Sequence, residues 1–187
     1  MKQSHRFLRV ASLLGVSLVF AVHLAGQGTV NFANRVTGFV DAPVFGIDGI
    51  TKLIGASYMA QLYAGATVNS MAPVGDPLPF RTGTGAGYIN TSGVDPTRTI
   101  PGVAAGAVAF VKVVAWDTMW GATYETAWWS NGASSVFALT TGGGGVPPGP
   151  PANLVGLQSF IVGWIPEPSS MALGLLGAAV LFLRRRK

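Results

Sequence analysis

Hydrophobic and polar positions alternate with a period of two through the middle of the chain. In GTVNFAN, Val30 and Phe32 flank polar Asn31, the pattern of a half-buried strand. In YMAQLYAG, Tyr58, Ala60 and Leu62 fall on one face. GAVAFVKVVAWD, from Gly106 to Asp117, is rich in valine and aromatics, with Lys112 as its one interior cation. That texture predicts a central strand buried on both faces. SSVFALT and LVGLQSFIVGW read as two further strands. Between the strands stand DAPVFGIDG, PVGDPLP, RTGTGAG, GVDPTRTIPG and SNGAS, which carry turn chemistry. No stretch of the body keeps a 3.6-residue period for more than about two turns. Short strands broken by turns predict an all-β fold, a sandwich or jelly-roll-like single domain over residues 27–163. Within it, TTGGGGVPPGPPAN, residues 140–153, has four consecutive glycines and four prolines and reads as a long surface loop.

The two ends depart from this texture. Residues 1–26 open with Lys2, Arg6 and Arg9, continue as the apolar run Val10–Leu24, and end on the small residues Ala25 and Gly26. That order predicts an export signal, a signal helix too short to span a bilayer. At the other end, residues 164–187 form a second targeting segment. Ser169 to Leu183 is a run of 15 residues without a charge, followed by Arg184, Arg185, Arg186 and Lys187. As a helix the run reaches about 22 Å, short of a bilayer core of about 30 Å. Pro166 and Pro168 prevent its extension toward the body. Trp164 stands where aromatics favour the membrane interface, and the terminal cations stay cytoplasmic. Both ends predict one topology: a single-pass precursor in the inner membrane, body outside, C-terminus in the cytoplasm, with membrane lipid as a partner.

Composition changes the picture by subtraction. The chain has 12 Lys and Arg and a net charge of +5, but seven of these cations lie in the two terminal segments. Between residues 27 and 165 there remain Arg35, Lys52, Arg81, Arg98 and Lys112 against Asp41, Asp48, Asp76, Asp95, Asp117 and Glu125. Five cations against six acids leave −1, which argues against nucleic-acid binding, since that needs a basic face. There is no cysteine, and both histidines, His5 and His23, fall in the export signal. The body therefore lacks Ser-His-Asp and Cys-His chemistry and ordinary zinc ligands. No metal and no cofactor is expected, and the body is read as non-enzymatic. RTGTGAGY and TGGGG lack phosphate-loop spacing. The six acids sit at turns, where Asp usually binds local backbone; Asp41, Asp48 and Asp117 are calcium candidates only as loop carboxylates.

The aromatics carry more. Trp116, Trp120, Tyr124, Trp128 and Trp129 lie close together in the chain. Core packing is the first reading for Trp116 and Tyr124. Trp120, Trp128 and Trp129 are the candidates for contact with a glycan, because flat apolar rings stack on sugars. Two classes stay open: a structural or adhesive component of the cell surface or extracellular matrix, or a carbohydrate-binding module or carboxylate-dependent glycan hydrolase. Exposed tryptophans beside an acidic pair would favour the second.

Pro166-Glu167-Pro168, then a short apolar helix from Met171 to Leu183, then Arg184, Arg185 and Arg186 at the terminus of an exported chain, resemble the PEP-CTERM sorting domain. The resemblance covers Ile165 to Lys187 and implies processing by exosortase, a membrane transpeptidase of bacteria that also make exopolysaccharide. It makes Pro166, Glu167 and Pro168 the processing motif and Arg184 to Lys187 the membrane stop. It also implies a mature form at the cell surface or outside the cell, with exopolysaccharide as a prospective partner.

Overall fold

The structure, a computed structural model, describes residues 26–163 and, beyond them, Gly174 and Leu176, both helical. The predicted export signal, the motif Pro166-Glu167-Pro168 and the basic tip Arg184 to Lys187 lie outside the described residues. Within those residues the body is all β apart from two 3-10 turns, Val68–Ser70 and Gly83–Gly85. No described helix is long and apolar enough to cross a membrane.

Ten strands follow in order: β1 (Gln27–Asn31), β2 (Arg35–Val36), β3 (Val40–Asp41), β4 (Tyr58–Gly65), β5 (Ala72–Pro79), β6 (Thr97–Ala104), β7 (Val108–Asp117), β8 (Asn131–Ala133), β9 (Phe137–Thr140) and β10 (Ala152–Asn153). A five-stranded sheet runs β5-β4-β7-β8, with β9 also paired to β7. A three-stranded sheet runs β10-β1-β6, and β2-β3 is a separate hairpin. β4 and β7 are antiparallel over eight residue pairs, from Tyr58↔Asp117 to Gly65↔Phe110.

The alternation seen in the sequence is the alternation of the two faces. Ala60, Leu62 and Ala64 of β4 and Ala109, Val111, Val113 and Ala115 of β7 enter the main core. There they meet Val30 and Phe32 from β1 and its end, and Ile100 and Val103 of β6. Both larger sheets thus share one apolar core, which the hydrophobic effect stabilises by about 25 cal/mol per Å² of apolar surface removed from water. On the other face, Val114 and Trp116 of β7 are buried with Tyr63 and Ala127 in a smaller cluster. The second half of β7 is consequently buried on both faces.

Four sequence expectations need correction. The centre of SNGAS is not a turn but β8, paired with β7. PVGDPLP and much of GVDPTRTIPG are not turns either: they are most of β5 and three quarters of β6. Each has a single neighbour, β4 and β1 respectively, so the prolines sit on sheet edges, where a missing N–H costs no ladder bond. LVGLQSFIVGW is not a strand. It buries Leu154, Leu157 and Val162 along an irregular path, and Gly156, at φ +106°, takes a conformation closed to other residues. The Gly/Pro-rich segment is a surface loop at its tip but ends in β10, which pairs in parallel with β1 through Val30↔Ala152. Gly142 and Thr29 exchange backbone hydrogen bonds of 2.9 and 3.1 Å at its base.

One buried polar residue ties the irregular half together. Asn34 donates from Nδ2 to the carbonyls of Ala42 at 2.8 Å and Gly87 at 2.9 Å. Its Oδ1 accepts the Ile89 N–H at 2.7 Å. A buried amide satisfied on both sides holds three segments in register.

Candidate binding surface

The site grows from the end of β7. Asp117 closes the strand and turns the chain: its carboxylate accepts the Met119 N–H at 2.9 Å and its carbonyl accepts the Trp120 N–H at 3.1 Å. Thr118 anchors the turn to the start of β4 by two bonds to the Ser57 carbonyl, 2.9 Å from its N–H and 3.1 Å from its hydroxyl. The loop then folds over the outer face of the sheet. Thr123 and Thr126 close a tight turn, with the Ala127 N–H donating to Thr123 at 3.0 Å. Ala127 is fully buried and plugs the loop onto Trp116. The ends meet again where the Asp117 N–H donates to Ser130 at 2.9 Å. At Gly121 a Cβ would lie 2.4 Å from the Ala127 backbone nitrogen. Only glycine allows the two limbs to approach so closely.

This scaffold divides the five aromatics. Trp116 is buried, and Tyr124 packs partly buried on the same small cluster. Trp120, Trp128 and Trp129 point outward, exposed to 49%, 63% and 38%. Their rings adjoin: Trp128 and Trp129 centroids are 4.4 Å apart at 37°, and Trp120 and Trp129 are 6.1 Å apart at 46°. Met119, next to Trp120 in the chain, is exposed to 82%.

Beneath the loop lies a polar group that sequence reasoning missed. The Tyr63 hydroxyl donates to the Glu125 carboxylate. Tyr63 and Tyr124 meet edge to face at 6.0 Å, and Lys112 Nζ stands 5.1 Å from the Tyr63 ring and 5.9 Å from that of Tyr124. Burial, then the bond to Glu125, pushes the Tyr63 phenol well above its ordinary value. The same bond holds the Glu125 carboxyl below the usual range. The signal was present in the sequence, since Lys112 is the lone charge inside the strongest strand, and a cation in a sheet needs π faces or carboxylates near it.

Asp41, Asp48 and Asp95 are occupied locally, Asp95 by the Thr97 N–H at 2.8 Å. Asp41 accepts the Tyr88 hydroxyl at 2.6 Å, with Arg35 4.7 Å from the centre of that ring. Asp48 accepts the N–H groups of Ile50 and Thr51 and the Thr51 hydroxyl, and these bonds lower its pKa. Asp41, Asp48 and Asp117 are not brought together, and the described residues contain no cluster of three or more metal-ligating side chains. A general acid of glycan hydrolysis needs a raised carboxyl pKa. Glu125, the acid in the tryptophan loop, is shifted the opposite way.

The fold and this surface define an all-β body bearing an exposed aromatic patch. The comparisons add its destination: residues 165–187 match the PEP-CTERM protein-sorting motif. The chain thus carries a PEP-CTERM sorting segment at residues 165–187, and that motif indicates an exported protein processed at the membrane by exosortase. No curated protein and no solved structure matches the chain. The motif covers the C-terminal segment alone, so the body has to be read from its own residues.

Proposed function

We propose that the mature protein is a non-catalytic adhesive component of the cell surface or extracellular matrix. Its body is a β-sandwich domain, delivered as a single-pass precursor with an N-terminal signal and a cytoplasmic basic tip. The observation that carries the reading is the contiguous, exposed trio Trp120, Trp128 and Trp129 on an exported protein. A rigid loop holding three adjoining indoles supplies flat apolar area at little entropic cost, which suits stacking on the faces of sugar rings. Exopolysaccharide is the partner this chemistry favours. The carbohydrate-binding alternative is thus the adhesive reading with its ligand named. Glu125, held below the usual carboxylate range by the Tyr63 hydroxyl, does not suit the general-acid role of the hydrolase alternative.

The test is sedimentation of the purified chain with insoluble and soluble polysaccharides, native against Trp128→Ala and Trp120→Ala. Binding that falls about tenfold or more in either variant, a loss of one stacked ring, with no release of reducing ends, is the expected result. Binding that survives both substitutions would remove the patch from adhesion, and release of reducing ends would make the protein a hydrolase.

A further inference from the structure

We infer that in the membrane-bound precursor the same aromatic patch rests on the lipid interface to which the C-terminal segment tethers the body. The argument is one of position. Gly163, two residues before the sorting motif begins, donates its N–H to the Asn131 carbonyl at 3.2 Å. Asn131 follows Trp129 by two residues, at most about 7 Å of extended chain. A Cβ on Gly163 would lie 2.5 Å from Ile47 Cβ, and one on Gly132 would lie 2.1 Å from the Ile161 carbonyl oxygen. The chain exit, the turn at residues 46–51 and the base of the tryptophan loop are therefore neighbours. Ile47, Ile50 and Ile161 are exposed at this end of the body. They add exposed apolar side chains at the end of the body where the chain exit meets the base of the tryptophan loop.

The tether is short. From Gly163 to Ser169, where the uncharged run begins, six residues reach at most about 20 Å. An inserted tail keeps this end of the body near the bilayer. Indoles with an apolar ring and a polar N–H favour the headgroup boundary. Charge does not drive the contact. The acids nearest the patch are Asp117 and Glu125, with Asp48 in the adjoining turn, and Lys112 faces the rings of Tyr63 and Tyr124. Recognition is apolar, so neutral lipid suffices and anionic lipid adds nothing. This inference rests on the sorting motif and not on glycan adhesion; cleavage at the motif would free the patch for the second task.

The chain has no cysteine, which allows single labels. Full-length protein carrying Met119→Cys or Asn69→Cys is labelled with a polarity-sensitive thiol dye and reconstituted into phosphatidylcholine vesicles. Asn69 lies in the 3-10 turn beyond Gly65, at the opposite end of β4 from Tyr58 and Asp117, about 23 Å along the strand. The expected result is a blue shift and about threefold protection from aqueous iodide at position 119, as for a group moved into the headgroup boundary. Brominated lipid should quench that label, and the Asn69 label should stay open to iodide. Adding Trp120→Ala, Trp128→Ala and Trp129→Ala to the Met119→Cys chain should abolish the protection. Equal accessibility at the two positions would overturn the inference. So would protection of position 119 without vesicles, which would mean a second copy covers the patch, or protection given by polysaccharide and not by lipid.

Discussion

Asn34 offers the sharpest test of how the body holds together. Replacement by leucine keeps the volume, fills the space and admits no water. It leaves the Ile89 N–H and the Ala42 carbonyl without the partners they have in Asn34 Oδ1 and Nδ2. The Gly87 carbonyl keeps its second bond, from the Val44 N–H at 2.9 Å, so two groups are orphaned and not three. Each buried orphan costs about 1–3 kcal/mol, giving an expected loss of about 2–6 kcal/mol. For a body of this size that lowers Tm by on the order of 10–15 °C. Asn34→Asp adds a sign. A carboxylate oxygen would replace the Nδ2 donor opposite two carbonyl oxygens, and burial opposes its charge, so its folded pKa must rise above the unfolded value of about 3.9. A raised folded pKa means stability is best retained below about pH 4 and is lost as pH climbs through the folded pKa. Thermal unfolding followed by circular dichroism from pH 4 to 8 reads both effects. The reasoning fails if Asn34→Leu unfolds within a few degrees of the native chain, or if the deficit of Asn34→Asp is independent of pH.

Three further outcomes follow from the tryptophan loop. Trp116→Ala should cost about 3–5 kcal/mol because it empties a buried site, while Trp128→Ala should stay within about 0.5 kcal/mol; denaturant titration of both variants separates core from surface. Tyr63→Phe removes the donor that lowers the Glu125 pKa. A lowered folded pKa stabilises above the unfolded value and is lost as pH falls. The variant should therefore be weaker than native at pH 7, by less than about 1 kcal/mol because Glu125 is exposed, and the gap should narrow as pH falls and Glu125 takes up its proton. Gly121→Ala sets a methyl against the Ala127 backbone; the expected cost is about 1–3 kcal/mol, with faster amide exchange across residues 118–130 and unchanged exchange in β4.

What the sequence disclosed was the part governed by local pattern. Tyr58–Gly65 is β4 to the residue, and the division of inward Ala60 and Leu62 from outward Met59 and Tyr63 is legible as alternation. The failures share one cause. Pro73, Pro77, Pro79 and Pro101 mark turns when read locally, yet on an edge strand the missing N–H is tolerated because no neighbour asks for it. Whether a strand is an edge is a fact of topology, and topology is not local. The same holds for LVGLQSFIVGW, whose apolar content was right and whose period was not: burial at Leu154, Leu157 and Val162 is spaced by an irregular chain that the core shapes from outside.

The aromatic patch shows the limit most plainly. Trp120, Trp128 and Trp129 are visible as letters, but their exposure depends on Ala127 and Tyr124 turning inward on Trp116, which forces their neighbours out. That the loop lies beside the chain exit depends on a bond between Asn131 and Gly163, 32 residues apart in sequence. A sorting tail and an adhesive patch can be selected separately. The chain exit at Gly163 and the tryptophan loop share one end of the described body; on the proposed reading this couples them, because an inserted tail would decide which surface the bilayer covers before processing and which is free afterwards. On that reading the same residues serve the bilayer contact in the precursor and the glycan contact after release, with no conformational change required of the fold.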